Sequence, residues 1–410
     1  MSALLHAAAF LPLAWALAVA SVSAEAVRRA GRRLSPGARS PGVRSPGAPS
    51  PGVPESALRV LVVRPCAGPE PHLERTLGSL AGARLSAPVR CVFAVADAAD
   101  GALPAATAAA ERLRAAAIPA EVALTALTAP PGPNRKAAQL AAVVARESAP
   151  FDAVLVADSD VDLDGVDLDA LLGPLSDGAR PAPLDAVWAP PVEVAPARSL
   201  GDRASAAVLG GSLHAFPLLA GLDPRGLVGK LFAVRAGSLA GAGGFAALTA
   251  HLGEDMELSR RLLARRGTIG AAAVVAPSLA SGRPLRDVIA RYARWITVIR
   301  AQRPALLASY PALFFATPLI VVLAALAAPI AAAPALLAVA VAVSSRVAVA
   351  ALAARLSGRR APLRAAAADA LLADLVLGAA FLRALSTRTV VWRTSRFRID
   401  RRGLLREAGA

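Results

Sequence analysis

Two carboxylates one residue apart, Asp158 and Asp160, close the apolar run of FDAVLVADSD (151–160). Ala153 to Ala157 is too short for a helix and is bounded by a Pro-Phe-Asp break and by acids, which is the pattern of a buried parallel strand. Ligands of open α/β sheets gather beyond the carboxyl ends of strands. At that position Asp158 and Asp160, with Ser159 between them, can turn towards one hard cation. A Mg²⁺ or Mn²⁺ held there would bridge the two phosphates of a nucleotide substrate. The plainer alternative is that the acids only end the strand. A calcium loop is a third reading, because Asp160, Asp162, Asp164 and Gly165 fit its positions 1, 3, 5 and 6. Its twelfth position, however, is Leu171 instead of Glu, and a strand precedes it where a helix belongs. Asp162 to Asp169 therefore reads as a solvated acidic loop.

A second constellation lies in HLGEDMELSRRLLARRG (251–267). Met256, Leu258, Leu262 and Leu263 recur at helical spacing, arginines take the other face, and Gly267 is a stop signal. Glu254 and Asp255 open this helix, where acids complement its dipole and where a carboxylate is also placed to act as a general base. In RDVIARYARWITVIR (286–300), Arg291 and Arg294 stand one turn apart with Trp295 beside them, a pattern that an amphipathic interface helix explains equally well. Gly229-Lys230 hints at a phosphate loop, but Pro224 occupies the place of its first Gly and Leu231 that of its Ser or Thr. Gly241 to Phe245 (GAGGF) lacks dinucleotide-loop spacing. Both read as turns lining a pocket. His6, His72, His214 and His251 are scattered and read as structural.

Alternating strands and helices must carry these residues. Strands are expected at Leu58–Val63, Arg90–Ala96 and Glu121–Leu127, and helices around Glu70–Leu80, Pro104–Ala117 and Lys136–Arg146, followed by the acidic strand end. Repetition at this spacing predicts a doubly wound α/β domain.

The chain of 410 residues has room for two or three domains, and 56% hydrophobic residues with a mean hydropathy of +0.53 place part of it in a membrane. Cys66 and Cys91 offer neither a disulfide framework nor a zinc site and suit a reducing compartment. The net charge of +16 is concentrated: 11 charges come from residues 27–46 and 386–410, both beside apolar segments. That is the signature of cytoplasmic membrane flanks. With only 16 aromatic residues, a nucleic-acid partner is not expected.

Leu4 to Ala24 carries no charge and is long enough to span a bilayer. SVSA (21–24) would suit a signal-peptide cleavage site, but the absence of a basic n-region and the arginines that follow favour a retained anchor. Four units, SPGAR, SPGVR, SPGAP and SPGVP (35–54), form a tether. Ala305–Leu326 and Ala332–Ala354 are span-length apolar runs, the second containing Arg346, which must snorkel or face protein. Ala365–Leu385 carries Asp369, Asp374 and Arg383 and is expected to lie along the interface or dip into it as a re-entrant segment without crossing.

In their order and spacing these motifs resemble the family 2 inverting glycosyltransferases, most closely their ceramide glucosyltransferase-like branch, which includes hopanoid-associated enzymes. The resemblance covers roughly residues 57–305, with weaker likeness in Val391–Arg398. It implies a GT-A-type, Rossmann-like catalytic domain with transmembrane helices at both ends. By this resemblance Asp97 meets uracil and ribose, with Asp100 as runner-up. Asn134, Lys136, Asp158, Arg291, Arg294 and Trp295 complete the nucleotide-sugar site. Asp158 and Asp160 hold Mg²⁺ or Mn²⁺, Asp255 is the general base, and Gly243, Gly244 and Glu254 lie on the acceptor side. Arg291 stands where processive synthases carry Gln, and residues 276–286 lack the acid or His expected before the RxxRW helix.

The expected organisation is an anchor (1–26), a basic tether (27–56), a catalytic domain (57–304), two transmembrane helices (305–354), a basic loop with an interfacial segment (355–385) and a cytoplasmic tail (386–410). The expected activity is transfer of a hexose or N-acetylhexosamine from a UDP-sugar to the hydroxyl of a lipid, a hopanoid polyol or a ceramide, with the catalytic domain on the cytoplasmic side of the inner or plasma membrane. A processive polysaccharide synthase and a non-catalytic membrane-associated basic protein are the alternatives.

Overall fold

The computed structural model describes residues 6–34, 58–126, 132–176, 182–387, 389–392, 395–400 and 404–407. The Ser-Pro-Gly units lie outside the described residues. The chain divides into two units, one made of 33–191, 223–280 and 403–410, the other of 1–32, 192–222 and 281–402. The domain expected over 57–304 thus gives 192–222 and 281–304 to the second unit.

The first unit is mixed α/β, with a central sheet that is mainly parallel. Its strands are β1 (Val60–Pro65), β2 (Val89–Val95), β3 (Ala120–Leu124), β4 (Ala153–Ala157) and β5 (Ala186–Trp188). After the short β6 (Pro191–Glu193) come β7 (Leu231–Arg235) and β8 (Ile269–Ala271). The order in the sheet is β3-β2-β1-β4-β7-β5-β8, and β7 runs antiparallel to both its neighbours. Every residue of β1 and β4 is buried, as expected for continuous Val/Leu runs covered on both faces. Each such Val or Leu contributes about 1.5–3 kcal/mol, so the ends of these strands are firmly fixed.

Crossovers obey helical periodicity. Before β2 the chain makes α1 (Leu11–Leu34, at the unit boundary) and α2 (Leu73–Gly78). Between β2 and β3, α3 (Leu103–Ala115) buries Ala106, Ala109, Ala110 and Leu113, an i, i+3, i+4, i+7 stripe. Between β3 and β4, α4 (Arg135–Arg146) begins at the N-cap Asn134. The helix expected over 70–80 is shorter, because Pro71 delays its start and the chain tightens to a 3₁₀ turn at Ser79–Gly82. The acidic loop after β4 is not simply solvated. Val161, Leu163, Val166 and Leu168 are buried in the core, and Asp167 caps α5 (Leu168–Leu172). Leu171 is fully buried, and Asp162 is paired with Arg75 at 2.8 Å, so these residues do not form a calcium loop.

The second unit is helical. It contains α1, α6 (Leu200–Gly210) and α7 (Phe216–Leu222), while α8 (Ala236–Gly241) and α9 (Glu254–Ala264) belong to the α/β unit. It continues with α10 (Leu285–Gln302), α11 (Ala316–Ala327), α12 (Ala332–Leu356) and α13 (Leu363–Ser386). Three helices, His6–Leu34, α12 and α13, are long and apolar enough to cross a membrane, and Pro304–Phe314 with α11 forms a pair bent by 63°. Alanines face inward on α12 (Ala335, Ala338, Ala342, Ala350, Ala353), permitting the close helix contacts typical of membrane proteins. Leu336, Leu337 and Leu352 point outward.

Arg346 faces protein: it reaches Asp374 at 2.9 Å and also donates to the Ala370 and Gly211 carbonyls. Asp369 is matched by Arg359 at 2.6 Å. The acids of α13 are therefore buried and paired, and Leu363, Leu371, Leu375, Leu382 and Leu385 form its outward face. This removes the charge argument against a crossing of 365–385, because the acids do not face lipid.

Candidate functional site

The sheet register builds the site. Ala157 of β4 pairs with Leu231 of β7, so the next residue, Asp158, meets the preceding one, Lys230; the Asp158 N–H donates to the Lys230 carbonyl at 2.8 Å. Asp160 is anchored two residues on, its carbonyl accepting from the Leu279 N–H at 2.9 Å and its Oδ2 from Ser278 Oγ at 2.7 Å. Beneath this loop the wholly buried Arg64, at the end of β1, donates to the carbonyls of Asp158 (2.9 Å) and Val161 (2.7 Å). Ser159 Oγ donates to Glu70 at 2.7 Å.

Two lysines and four carboxylates converge here. Lys136 Nζ lies 2.7 Å from Asp158 Oδ1, 3.1 Å from Glu254 Oε1 and 2.8 Å from the Gly229 carbonyl. Burial opposes the Lys136 charge, but Asp158 and Glu254 outweigh it and raise its pKa. Lys230 Nζ lies 2.6 Å from both oxygens of Asp160 and 3.6 Å from Asp158 Oδ2. Asp255, in the first turn of α9, accepts from the Gly229 N–H at 2.8 Å and from the Met256 N–H at 2.8 Å. Burial, then the neighbouring Glu254 carboxylate, push its carboxyl up to about 6. Gly229 thus joins both networks, and a Cβ there would come within 3.1 Å of Asp255 and 3.2 Å of Lys136.

Asn134 is fully buried, and its side chain is engaged by protein groups. Its Oδ1 caps α4 through the Ala137 N–H (3.0 Å), and its Nδ2 donates to the His251 carbonyl (2.7 Å) and Glu254 Oε2 (3.1 Å). Asn134 therefore positions Lys136 and Glu254. Asn134→Ala is expected to lower folding stability by about 2 kcal/mol through the lost cap and unpaired neighbours, read by thermal unfolding; an unchanged midpoint contradicts this role.

Asp97 lies exposed just beyond β2 at the same carboxyl edge, its side chain accepting from the nearby Ala99 N–H (2.9 Å). Asp100 is engaged instead by the N–H groups of Gly68 (2.6 Å) and Ala102 (2.9 Å). Glu254, expected on the acceptor side, belongs to the lysine network. Gly243 and Gly244 form the turn after α8 with φ of 94° and 67°, a conformation that favours glycine. The Gly244 N–H closes on the Leu239 carbonyl at 2.9 Å, and Arg261 holds the adjoining carbonyls of Ala242 and Ala247.

Arg291, Arg294 and Trp295 belong to the helical unit, on α10. Arg291 is paired with the buried Glu193 at 3.2 Å and bonded to Ser205, and its guanidinium lies 5.3 Å from the Trp295 ring centre. Glu193 also meets Arg283 at 2.8 Å. Asp202 accepts from the N–H groups of Gly282 (2.8 Å) and Arg283 (3.1 Å). The acids missing from 276–286 are thus supplied from other parts of the sequence, by Glu193 and Asp202. Sequence reasoning missed both, and it placed Lys230 only in a turn lining a pocket, without its acid partners.

The donor set suits a divalent ion of the Mg²⁺ or Mn²⁺ type. Asp158 and Asp160 already converge on one cation, the Lys230 ammonium. Among the described residues no group of three or more His, Cys, Asp and Glu side chains could hold a metal alone. Such ions need only one or two carboxylates when phosphate and water complete the shell.

Residues 13–405 match the model of glycosyl transferase family 21, and the chain belongs to that family. This agrees with the glycosyltransferase class of the sequence resemblance, although the family number is 21 instead of 2. No protein of curated function matches the chain. A mannosyltransferase from Pyrobaculum calidifontis, in complex with GDP-Man and Mn²⁺, is similar at 20% identity with a TM-score of 0.42, covering 92% of this chain and 99% of its own. Glucosyl-3-phosphoglycerate synthase from Mycobacterium tuberculosis, in complex with Mn²⁺, UDP and glucosyl-3-phosphoglycerate, is similar at 20% identity with a TM-score of 0.34, covering 58% of this chain and 79% of its own.

Proposed function

We propose that this glycosyltransferase transfers a hexose or N-acetylhexosamine from a UDP-sugar to the hydroxyl of a lipid, with inversion at the anomeric carbon. The observation that carries this reading is the half-buried carboxylate of Asp255, which accepts from the Gly229 N–H, while the Gly229 carbonyl accepts from Lys136, the partner of Asp158 in the Asp158–Lys230–Asp160 group. One base beside one diphosphate site is the equipment of a single displacement. Asp255 takes the proton of the acceptor hydroxyl as its oxygen attacks the anomeric carbon, and UDP departs from the opposite face. Asp158 and Asp160 would hold a Mg²⁺ or Mn²⁺, which supplies positive charge against the leaving diphosphate. Lys136 fixes Asp158 relative to α9 and keeps the carboxylates in register. Asp97 is the residue for uracil and ribose.

The proton transfer sets a pH dependence. Asp255 accepts a proton only when ionised, so kcat/KM should fall as pH drops through about 6 and plateau above it. A profile flat from pH 5 to 8 contradicts Asp255 as base.

Lipid is the acceptor class that suits a chain with, among the described residues, three helices long and apolar enough to cross a membrane and with outward leucines on α12 and α13. A hopanoid polyol and a ceramide are the first two to test. The test is to incubate membranes containing the protein with a panel of labelled UDP-sugars and extract the lipids. Label in a discrete lipid band supports the reading; label in a polymer supports a processive synthase, and no transfer overturns both.

By the positive-inside rule, the arginines in the last turns of the first helix favour a cytoplasmic α/β unit, and the basic tail from Thr387 would lie on the same side. Because Cys66 and Cys91 are buried, background labelling is low. Gly409→Cys should resist an impermeant thiol reagent in intact cells and react after permeabilisation. Labelling of intact cells places the tail outside.

A further inference from the structure

The ammonium of Lys230 fills the space between Asp158 and Asp160. Nζ lies 2.6 Å from both oxygens of Asp160 and 3.6 Å from Asp158 Oδ2. The sheet delivers it there: the Lys230 carbonyl accepts the Asp158 N–H, Leu231 begins β7, and Gly229 is held by Asp255 and Lys136. Two carboxylates one residue apart repel, and Lys230 offsets this chiefly at Asp160, as Lys136 does at Asp158. The same oxygens are those that a divalent ion would use. A small ion demanding oxygen contacts of about 2.0–2.1 Å cannot share them with an ammonium already in contact.

We propose that Lys230 is an internal counter-ion that keeps the divalent cation out of the Asp158–Asp160 pair until a nucleotide diphosphate arrives, and then turns to that diphosphate. The inference rests on reading this group as a diphosphate site. Once the carboxylates are taken, a side chain that is 27% exposed can carry its charge to the arriving diphosphate on its flexible four-carbon stem. Lys136 cannot take this part, because it is committed to Asp158, Glu254 and the Gly229 carbonyl. Metal and nucleotide should therefore bind with positive coupling, each tightening the other by the same factor.

The test is Mn²⁺ titration of the full chain in detergent, with free ion followed by electron paramagnetic resonance, with and without UDP. In the wild type, UDP should tighten Mn²⁺ binding by about tenfold or more. In Lys230→Met, Mn²⁺ without UDP should bind about tenfold or more tighter than in the wild type, and the effect of UDP should shrink. Lys230→Gln, similar in length but uncharged, should behave in the same way and serves if Lys230→Met does not fold. Equal Mn²⁺ affinity of wild type and variants without UDP overturns the inference. If the wild type binds Mn²⁺ equally with and without UDP, Lys230 is no gate, while the metal site itself stands. If it binds no Mn²⁺ even with UDP, the diphosphate-site reading falls as well.

Discussion

Asp255→Asn is expected to leave UDP binding nearly unchanged while turnover falls by about 10² or more, the scale of losing a general base. The asparagine keeps the volume and one acceptor for the Gly229 N–H, so α9 and the lysine network should stay in place. What disappears is the capacity to hold a proton at the residue whose burial beside Glu254 tunes it towards neutral pH. UDP affinity by calorimetry and single-turnover transfer separate the two effects. Turnover equal to the wild type removes Asp255 from the reaction. Loss of UDP binding in step with turnover would instead make it a scaffold residue.

Chelation should abolish transfer, and Mg²⁺ or Mn²⁺ should restore it. Asp160→Ala should weaken Mn²⁺-dependent UDP binding by about 100-fold or more, since even losses outside the inner ligand shell cost 10–100-fold. It should change UDP binding little when metal is absent. Asp160 also accepts from Ser278 and holds the Lys230 ammonium, so the variant must first be shown to melt as the wild type does. Full activity in excess chelator would mean that the two lysines alone neutralise the leaving group.

The parts of this site that lie in continuous sequence were legible. The run Ala153–Ala157 is a strand with those bounds, and Asp158 and Asp160 follow it at the carboxyl edge. Glu254 and Asp255 do open a helix, which ends at Ala264 before Gly267. Contacts made by pairing distant segments were hidden. Gly229-Lys230 fails as a phosphate loop, and its real place comes from an antiparallel β7 that sets Lys230 against an acid pair 70 residues earlier in the chain. The acids near the RxxRW helix escaped for the same reason, because Glu193 and Asp202 approach Arg283 from other elements. Asn134 shows a different limit: its type and spacing suit a ligand contact, yet only burial reveals that all its polar atoms are spent on protein. In α13, the acidic residues suggested a helix lying in the interface, whereas pairing with Arg346 and Arg359 turns them away from lipid. Charge counts cannot show which face of a helix carries the charge.

A single displacement with Asp255 as the base fixes the configuration of the product. Its most direct test is proton NMR of the anomeric linkage in the glycolipid made from an α-linked UDP-sugar. The expected result is a β-linked product formed by the wild type and lost in Asp255→Asn. An α-linked product would contradict it, because retention requires a second displacement or a same-face attack that one base opposite the leaving group does not provide.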